Sequence, residues 1–248
     1  VPPRFFAPEL TSDARQVTLP PGESLHLARV LRLHEGDQVE LFDGRGTLRA
    51  GTVRRASPQG AVVDPGDVLP AAPEPPAAIV VAQALLKGDA MDAVVRDATV
   101  LGASEIWPMT TSRTNVPAKA AQAAHERWER VAVAAAKQCG RAVLPRIARV
   151  RPVGEVVTLT GETSLGLWLT EPTASTGAST ALAAPARNVC LAIGPEGGWT
   201  PEEVAAANAA GWHPWTLAPV TLRAEQMTLA ALSVIRYVWD ASARRRIT

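Results

Sequence analysis

Five consecutive residues, Gly194-Pro195-Glu196-Gly197-Gly198, have the make-up of a ligand-binding turn. They follow the apolar run Asn188–Ile193. They precede Thr200, Pro201 and Glu203, which specify a helix start: a hydroxyl N-cap, a proline at the first helical position and the partner of a capping box. Glycines in a strand-to-helix turn let a bound molecule approach the backbone closely. Two familiar ligands do not suit this one. A phosphate loop needs G-x-x-x-x-G-K-[ST], and no lysine follows Gly198. A dinucleotide loop needs G-x-G-x-x-G at the first strand of its domain, and Glu196 would repel any phosphate in a partly dry turn. The turn favours a neutral or cationic ligand held by backbone groups. Its spacing alone leaves open a plain turn with a surface glutamate.

A second segment, LAPVTLRAEQMTLAAL (Leu217 to Leu232), repeats the layout: a strand end, a short loop, a long apolar helix. The elements between these segments alternate. Apolar runs at Ala77–Leu86, Ser104–Met109, Ser164–Thr170, Asn188–Ile193 and Trp212–Ala218 read as strands. Helices fit Met91–Leu101, Gln122–Cys139, Pro201–Ala210 and Glu225–Trp239. Alternation of this kind implies an α/β fold with a mostly parallel sheet and helices on both faces. The loops after Thr170, Ile193 and Ala218 then share one sheet edge, where ligands bind in such folds. Ahead of this region the chain is β-rich. Two extended runs flank Asp43-Gly44-Arg45-Gly46, a hairpin signal, after one short helix around Ser24–Leu33. The proline-rich stretch Pro65–Pro76 reads as a linker, dividing the chain into residues 1–72 and 73–248.

Composition narrows the classes without choosing among them. The chain has 248 residues, 47% apolar and 20% charged, with a net charge of +1, so overall charge names no partner. Cys139 and Cys190 lie in apolar stretches outside any C-x-x-C pair, and the four histidines lack ligand spacing, so no metal site is expected. No apolar run is long enough to span a bilayer, and a reducing cytoplasm is the expected setting.

With these segments in hand, the chain resembles the RsmE family of bacterial ribosomal RNA methyltransferases, of the SPOUT class. RFF (Arg4 to Phe6), HLARVLRLHEGDQVELFDGRG (His26 to Gly46), KGDAMD, TTSRTNV, ERWERVAVAAAKQCGR, LPRI, IGPEGGWT and LRAEQMTLAAL follow in family order. The resemblance implies an N-terminal PUA-like β-barrel and a C-terminal SPOUT α/β domain with a trefoil knot. It implies a homodimer, S-adenosylmethionine as cofactor, and methylation of uridine N3 in 16S rRNA of the small ribosomal subunit. That cofactor carries a sulfonium and no phosphate, which suits a glycine turn containing a carboxylate. By the family pattern, Leu169, Ile193, Gly194, Pro195, Glu196, Gly197, Gly198, Leu217, Leu222, Arg223 and Met227 surround the cofactor. Arg223 and Glu225 are the candidate catalytic groups, for the oxyanion and the proton of the target base. The chain departs from the family at Val100, Ala218, Ala224, Gln226 and Met227. These changes bear on cofactor affinity, and they keep a decayed pocket in a non-catalytic RNA-binding protein, or a SPOUT enzyme for another RNA, as alternative readings.

An RNA substrate requires cations. Nine lysines and arginines against two acids lie between Arg113 and Arg151. On the helix over Gln122–Cys139, Arg127, Arg130, Lys137 and, if the helix continues, Arg141 fall about 140° from the apolar face, at ~100° per residue. Lys87, Arg113 and these four are expected to meet phosphate, with Arg4, Arg29 and Arg32 as contacts from the N-terminal region.

Overall fold

The computed structural model describes residues 2–159, 164–172, 182, 186–217 and 219–245. They form two compact units. The first holds the chain up to Glu74 together with Val133–Leu144, and the second holds Pro75–Ala132 and the chain from Pro145 onward.

The first unit is built on a five-stranded sheet. Strands β1 (Arg4–Phe6), β2 (Val17–Thr18), β3 (Gln38–Phe42), β4 (Leu48–Arg55) and β5 (Val62–Val68) lie in the order β1-β3-β4-β5-β2. The hairpin between β3 and β4 forms because Asp43 accepts the backbone N–H of Arg45 at 2.7 Å and of Thr47 at 2.9 Å, while Gly44 and Gly46 take positive φ. The helix expected around Ser24–Leu33 lies three residues earlier: α1 (Pro21–Leu25) runs into one π-turn (His26–Val30), and the chain turns away at Arg32, which has φ 54°. The expected linker also starts too early, because β5 runs through Pro65 to Val68. Beyond Val63 that strand has left β2, and Pro65 faces Gly51 where the register with β4 shifts, so its missing N–H breaks no regular ladder. Phe5, Leu27, Leu41 and Val63 are buried in one core. A second cluster joins Phe42 and Leu48 to Ala136 and Ala142.

The second unit is a parallel sheet between helices. Its strands are β6 (Ala78–Ala84), β7 (Glu105–Thr110), β8 (Arg146–Ile147), β9 (Arg151–Pro152), β10 (Ser164–Leu169), β11 (Asn188–Ile193) and β12 (His213–Trp215). The order is β12-β10-β11-β6-β7-β8, with β9 also beside β7, and every pair is parallel. The helices are α2 (Ala90–Val100), α3 (Ala118–Cys139), α4 (Val153–Leu159), α5 (Pro201–Ala209) and α6 (Ala224–Arg245). Helix α3 starts four residues before the expected Gln122, and its last turns belong to the first unit. β11 is buried from Val189 to Ile193. Cys190 and Ala192 face the core shared with α4 and α5, while α6, packed on α2, touches the same strand. A strand covered on both faces accounts for its unbroken apolar sequence. Burial pushes the Cys190 thiol up, so it is inert, whereas Cys139 is only partly covered. Among the described residues no helix is long and apolar enough to cross a membrane.

Candidate active site at the carboxyl edge of the parallel sheet

A cleft of about 660 Å³ opens where β10, β11 and β12 end. Ten of the expected cofactor residues line it: Leu169, Ile193, Gly194, Pro195, Glu196, Gly197, Gly198, Leu222, Arg223 and Met227. Leu217 is half-buried beyond the end of β12 and forms no part of the wall, and Ala218 lies outside the described residues. Glu225 sits half-buried in the first turn of α6, two residues after Arg223, and is also absent from the wall.

The glycine turn is held from three sides. Gly198, at φ 69°, donates its N–H to the Pro195 carbonyl at 2.9 Å, closing the turn with a conformation that suits glycine. The Trp199 indole folds back over Gly194, and its Nε1–H donates to the Leu169 carbonyl at 2.8 Å, tying the turn to the end of β10. Arg113 packs its stem on Gly197 and donates to the Gly197 carbonyl at 2.8 Å. Behind the turn, Thr200 and Glu203 form the capping box that the sequence specifies. Glu203 does more than cap. Its other oxygen accepts the Ser112 N–H at 2.7 Å, so one buried carboxylate joins the loop after β7 to the start of α5. The far wall is fixed by Thr170 and Thr216, whose hydroxyls meet at 2.8 Å.

Trp199 and the double role of Glu203 escape a motif reading. Trp199 lies inside the quoted IGPEGGWT segment and Glu203 three residues beyond it, but their partners Leu169 and Ser112 are distant in sequence. Gln226, a departure from the family pattern, also has a purpose here. Its Oε1 accepts the Arg223 N–H at 3.2 Å, doing at the start of α6 what the glutamate of a capping box does.

The lining is a backbone cradle with few charges. Glu171 and Glu196 are exposed on its rim, and Arg113 and Arg223 are the lining cations. The Glu202 carboxyl, next to the rim, is held below the usual carboxylate range by its own backbone N–H, then by the Thr200 hydroxyl, with Arg113 a lesser cause. A triphosphate would face two carboxylates against two arginines and, among the described residues, no lysine. An apolar ring system with one positive centre would meet leucine, isoleucine, methionine and carboxylate.

The cations expected to meet RNA separate into two groups. Arg29, Arg32, Lys87, Arg113, Arg127 and Arg130 are exposed, with Arg127 also paired to Asp92 at 3.1 Å. Arg4, Lys137 and Arg141 are turned inward, which takes them out of the set expected to meet phosphate. Arg4 pairs with Glu40 at 3.1 Å and lies on Phe42, and burial lowers its pKa. Lys137 binds Glu23 at 2.8 Å over the Phe5 ring. Arg141 is buried against the Glu74 carboxylate, with Nε at 2.9 Å. These charges hold the first unit together.

Comparison with known proteins decides between the readings of this cleft. A model described as "RNA methyltransferase domain" matches residues 73–236, and one described as "RNA methyltransferase PUA domain" matches residues 19–65. The ribosomal RNA small subunit methyltransferase E of Synechocystis is 34% identical over 241 residues, covering 95% of this chain and 77% of that protein. The chain belongs to this family of RNA methyltransferases. The Mycobacterium bovis member is 29% identical, with 96% of this chain and 94% of that one aligned. Among solved structures, the Neisseria gonorrhoeae ribosomal RNA small subunit methyltransferase E bound to S-adenosylmethionine matches with a TM-score of 0.88 at 27% identity, over 96% of this chain and 98% of that one. A Legionella pneumophila protein described as a methyltransferase, solved with the same cofactor, matches with a TM-score of 0.87 at 29% identity, over 96% and 98%. The glycine turn, Trp199 and Arg113 of this methyltransferase thus belong to a ribosomal RNA modifier.

Proposed function

We propose that the protein methylates N3 of a uridine in 16S rRNA of the small ribosomal subunit, using S-adenosylmethionine held in the cleft at Gly194–Gly198. The observation that carries this is the turn itself: a backbone cradle without a phosphate-loop lysine, at the carboxyl edge of a parallel sheet, with Glu196 in its middle and apolar side chains around it. Residues 1–72 serve in this reading as a PUA-like barrel that holds RNA, and residues 73–248 as a SPOUT domain with a trefoil knot. The cytoplasm is the place of work.

When bound, S-adenosylmethionine supplies an electrophilic methyl group on a sulfonium. The chain positions the acceptor. N3 lies on the pairing edge of uracil, so the base must leave its stack before it can react. As N3 gives up its proton to a base, negative charge develops on the uracil oxygens. Arg223, on the cleft wall, faces that charge. Glu225, two residues on, receives the proton or orients the base. Glu225→Gln is expected to cut the transfer rate severalfold with cofactor affinity nearly unchanged, as read by single-turnover kinetics and calorimetry. An unchanged rate removes Glu225 from the reaction and leaves it a first-turn helix carboxylate.

The family state, a homodimer, has support on α6. Leu229, Val234 and Tyr237 are 45%, 39% and 79% exposed within one arc of that helix, an apolar stripe that water disfavours. Tyr237→Glu is expected to raise the dimer dissociation constant at least about tenfold by light scattering, since it puts a charge in a dry contact. A dimer unmoved by this change would place the interface elsewhere.

The deciding experiment is transfer from labelled S-adenosylmethionine to under-modified small subunits, followed by mapping of the labelled base. Label on N3 of one 16S uridine is the expected result. Label on transfer RNA, or on another atom, would replace this reading with a SPOUT enzyme of different specificity.

A further inference from the structure

The loop after β7 meets the glycine turn through Arg113, and most of that side chain's bonding capacity is unspent. Thr111 and Thr114 staple the loop. Their hydroxyls meet at 3.0 Å, the Thr111 N–H donates to the Thr114 hydroxyl at 2.9 Å, and the Thr114 N–H donates to the Thr111 carbonyl at 3.1 Å. Between them, the Ser112 N–H donates to Glu203 at 2.7 Å, and Arg113 Nη1 donates to the Gly197 carbonyl at 2.8 Å. A guanidinium carries several N–H donors in a planar fork. Among the described residues that of Arg113 makes no other hydrogen bond and no ion pair, and the side chain is exposed at the cofactor cleft. Arg4, Arg127 and Arg141, by contrast, each pair with a carboxylate. The unspent Nε–Nη2 edge of Arg113 is the one that matches two oxygens of a phosphate.

Exposure decides how firmly this contact holds. The Trp199 tether of the turn is partly buried, whereas the Arg113 bond is open to water, which competes for both of its ends. Of the two tethers it is the one that a second ligand can strengthen. Gly197 provides its seat. A Cβ on Gly197 would lie 3.2 Å from the Arg113 Cβ, so the bare backbone is what lets the arginine stem lie against the turn.

We propose that Arg113 is a positioning residue that couples the two substrates of the reaction. Its Nη1 fixes the Gly197 carbonyl, and with it the turn that holds S-adenosylmethionine. Its Nε–Nη2 edge meets a phosphate of the bound RNA. A phosphate on that edge immobilises the guanidinium against the turn, and a filled turn holds the guanidinium where the phosphate arrives. Each ligand therefore tightens the other, by the same factor in both directions. One solvent-exposed hydrogen bond limits that factor to about two- to tenfold. Lysine cannot replace arginine here, because a single ammonium on a flexible stem lacks the fork that serves a carbonyl and a phosphate at once. This inference rests on the reading of the protein as an RNA methyltransferase with its cofactor at Gly194–Gly198, and adds how the two binding events communicate.

The test uses S-adenosylhomocysteine, the demethylated cofactor, so that no turnover intervenes. Its dissociation constant is measured by equilibrium dialysis with and without saturating under-modified small subunits. The subunit dissociation constant is measured by filter binding with and without saturating S-adenosylhomocysteine. Wild-type protein should show the same factor, about two- to tenfold, in both directions. Arg113→Lys should bind each ligand alone within about threefold of wild type and show a factor close to one. In Arg113→Ala the logarithmic salt slope of subunit binding should fall by roughly one, the share of one phosphate contact. Independent binding of the two ligands to wild-type protein would overturn the inference. So would a full coupling factor in Arg113→Lys, which would make Arg113 a mere strut of the turn, or an unchanged salt slope in Arg113→Ala. The uridine reading stands or falls separately, on where the methyl label lands: label on another RNA sinks that reading, whereas lost reciprocity sinks this one.

Discussion

Gly194→Ala is expected to lower S-adenosylmethionine affinity roughly ten- to a hundredfold by calorimetry, and to lower methyl transfer in parallel. The added methyl would lie 3.1 Å from Trp199 Cε2 and 3.2 Å from its Nε1, well inside the ~3.5–4.0 Å of a comfortable contact. Trp199 cannot yield cheaply. Its N–H is spent on the Leu169 carbonyl at 2.8 Å, and its ring meets the edge of Trp168. Either the turn moves away from β10 or the Leu169 carbonyl loses its donor, and both outcomes reshape the cleft wall. Overpacking of this kind costs ~1–3 kcal/mol, and ~1.4 kcal/mol is a factor of ten. Gly154→Ala is the control: nothing lies within 4 Å of its added carbon, and binding should not change. Full affinity in Gly194→Ala would mean that the cofactor is held away from the turn.

Glu203→Ala should be the most destabilising single change near the site, by about 2–4 kcal/mol in denaturant unfolding. The carboxylate is 9% exposed and accepts two backbone N–H groups, from Ser112 at 2.7 Å and Thr200 at 2.9 Å. Hydrogen bonds to a charged group are worth ~1.5–3 kcal/mol each, and the cap of α5 is lost with them. Glu203→Gln should fall between, because an amide keeps one acceptor and turns a donor toward an N–H. The effect should also reach the cofactor. Ser112 precedes Arg113, whose guanidinium holds the Gly197 carbonyl, so a loosened loop weakens the turn as well. A loss under about 1 kcal/mol would show that the capping box alone carries this contact.

The parts of this molecule that were legible in its sequence are those whose partners are close along the chain. The capping box spans Thr200 to Glu203, the hairpin is set by Asp43 acting on residues two and four ahead, and the unbroken apolar run of β11 reports burial on both faces. Nine of the expected lining residues lie in two short segments and Leu169 in a third, and it was the family resemblance that named them. The inward arginines and lysine were not legible. A charge at helical spacing looks the same whether it faces water or a carboxylate, and Lys137 finds Glu23 across 114 residues, Arg141 finds Glu74 across 67. β8 and β9, two residues each, and α4, seven residues long, are too short for any periodicity to announce them. The second bonds of Glu203 and Trp199 share the same reason: 91 and 30 residues separate them from Ser112 and Leu169.

The return of residues 133–144 to the first unit governs how this chain can be dissected and how it is made. A fragment ending at Glu74 would lack Ala136 and Ala142, leaving Phe42 and Leu48 against solvent, and would lose Lys137 and Arg141 from Glu23 and Glu74. During translation, the amino-terminal portion cannot finish folding when its own strands have emerged. It must wait for the stretch ending at Leu144 to clear the exit tunnel, by which time β6 and β7 of the other unit are already outside.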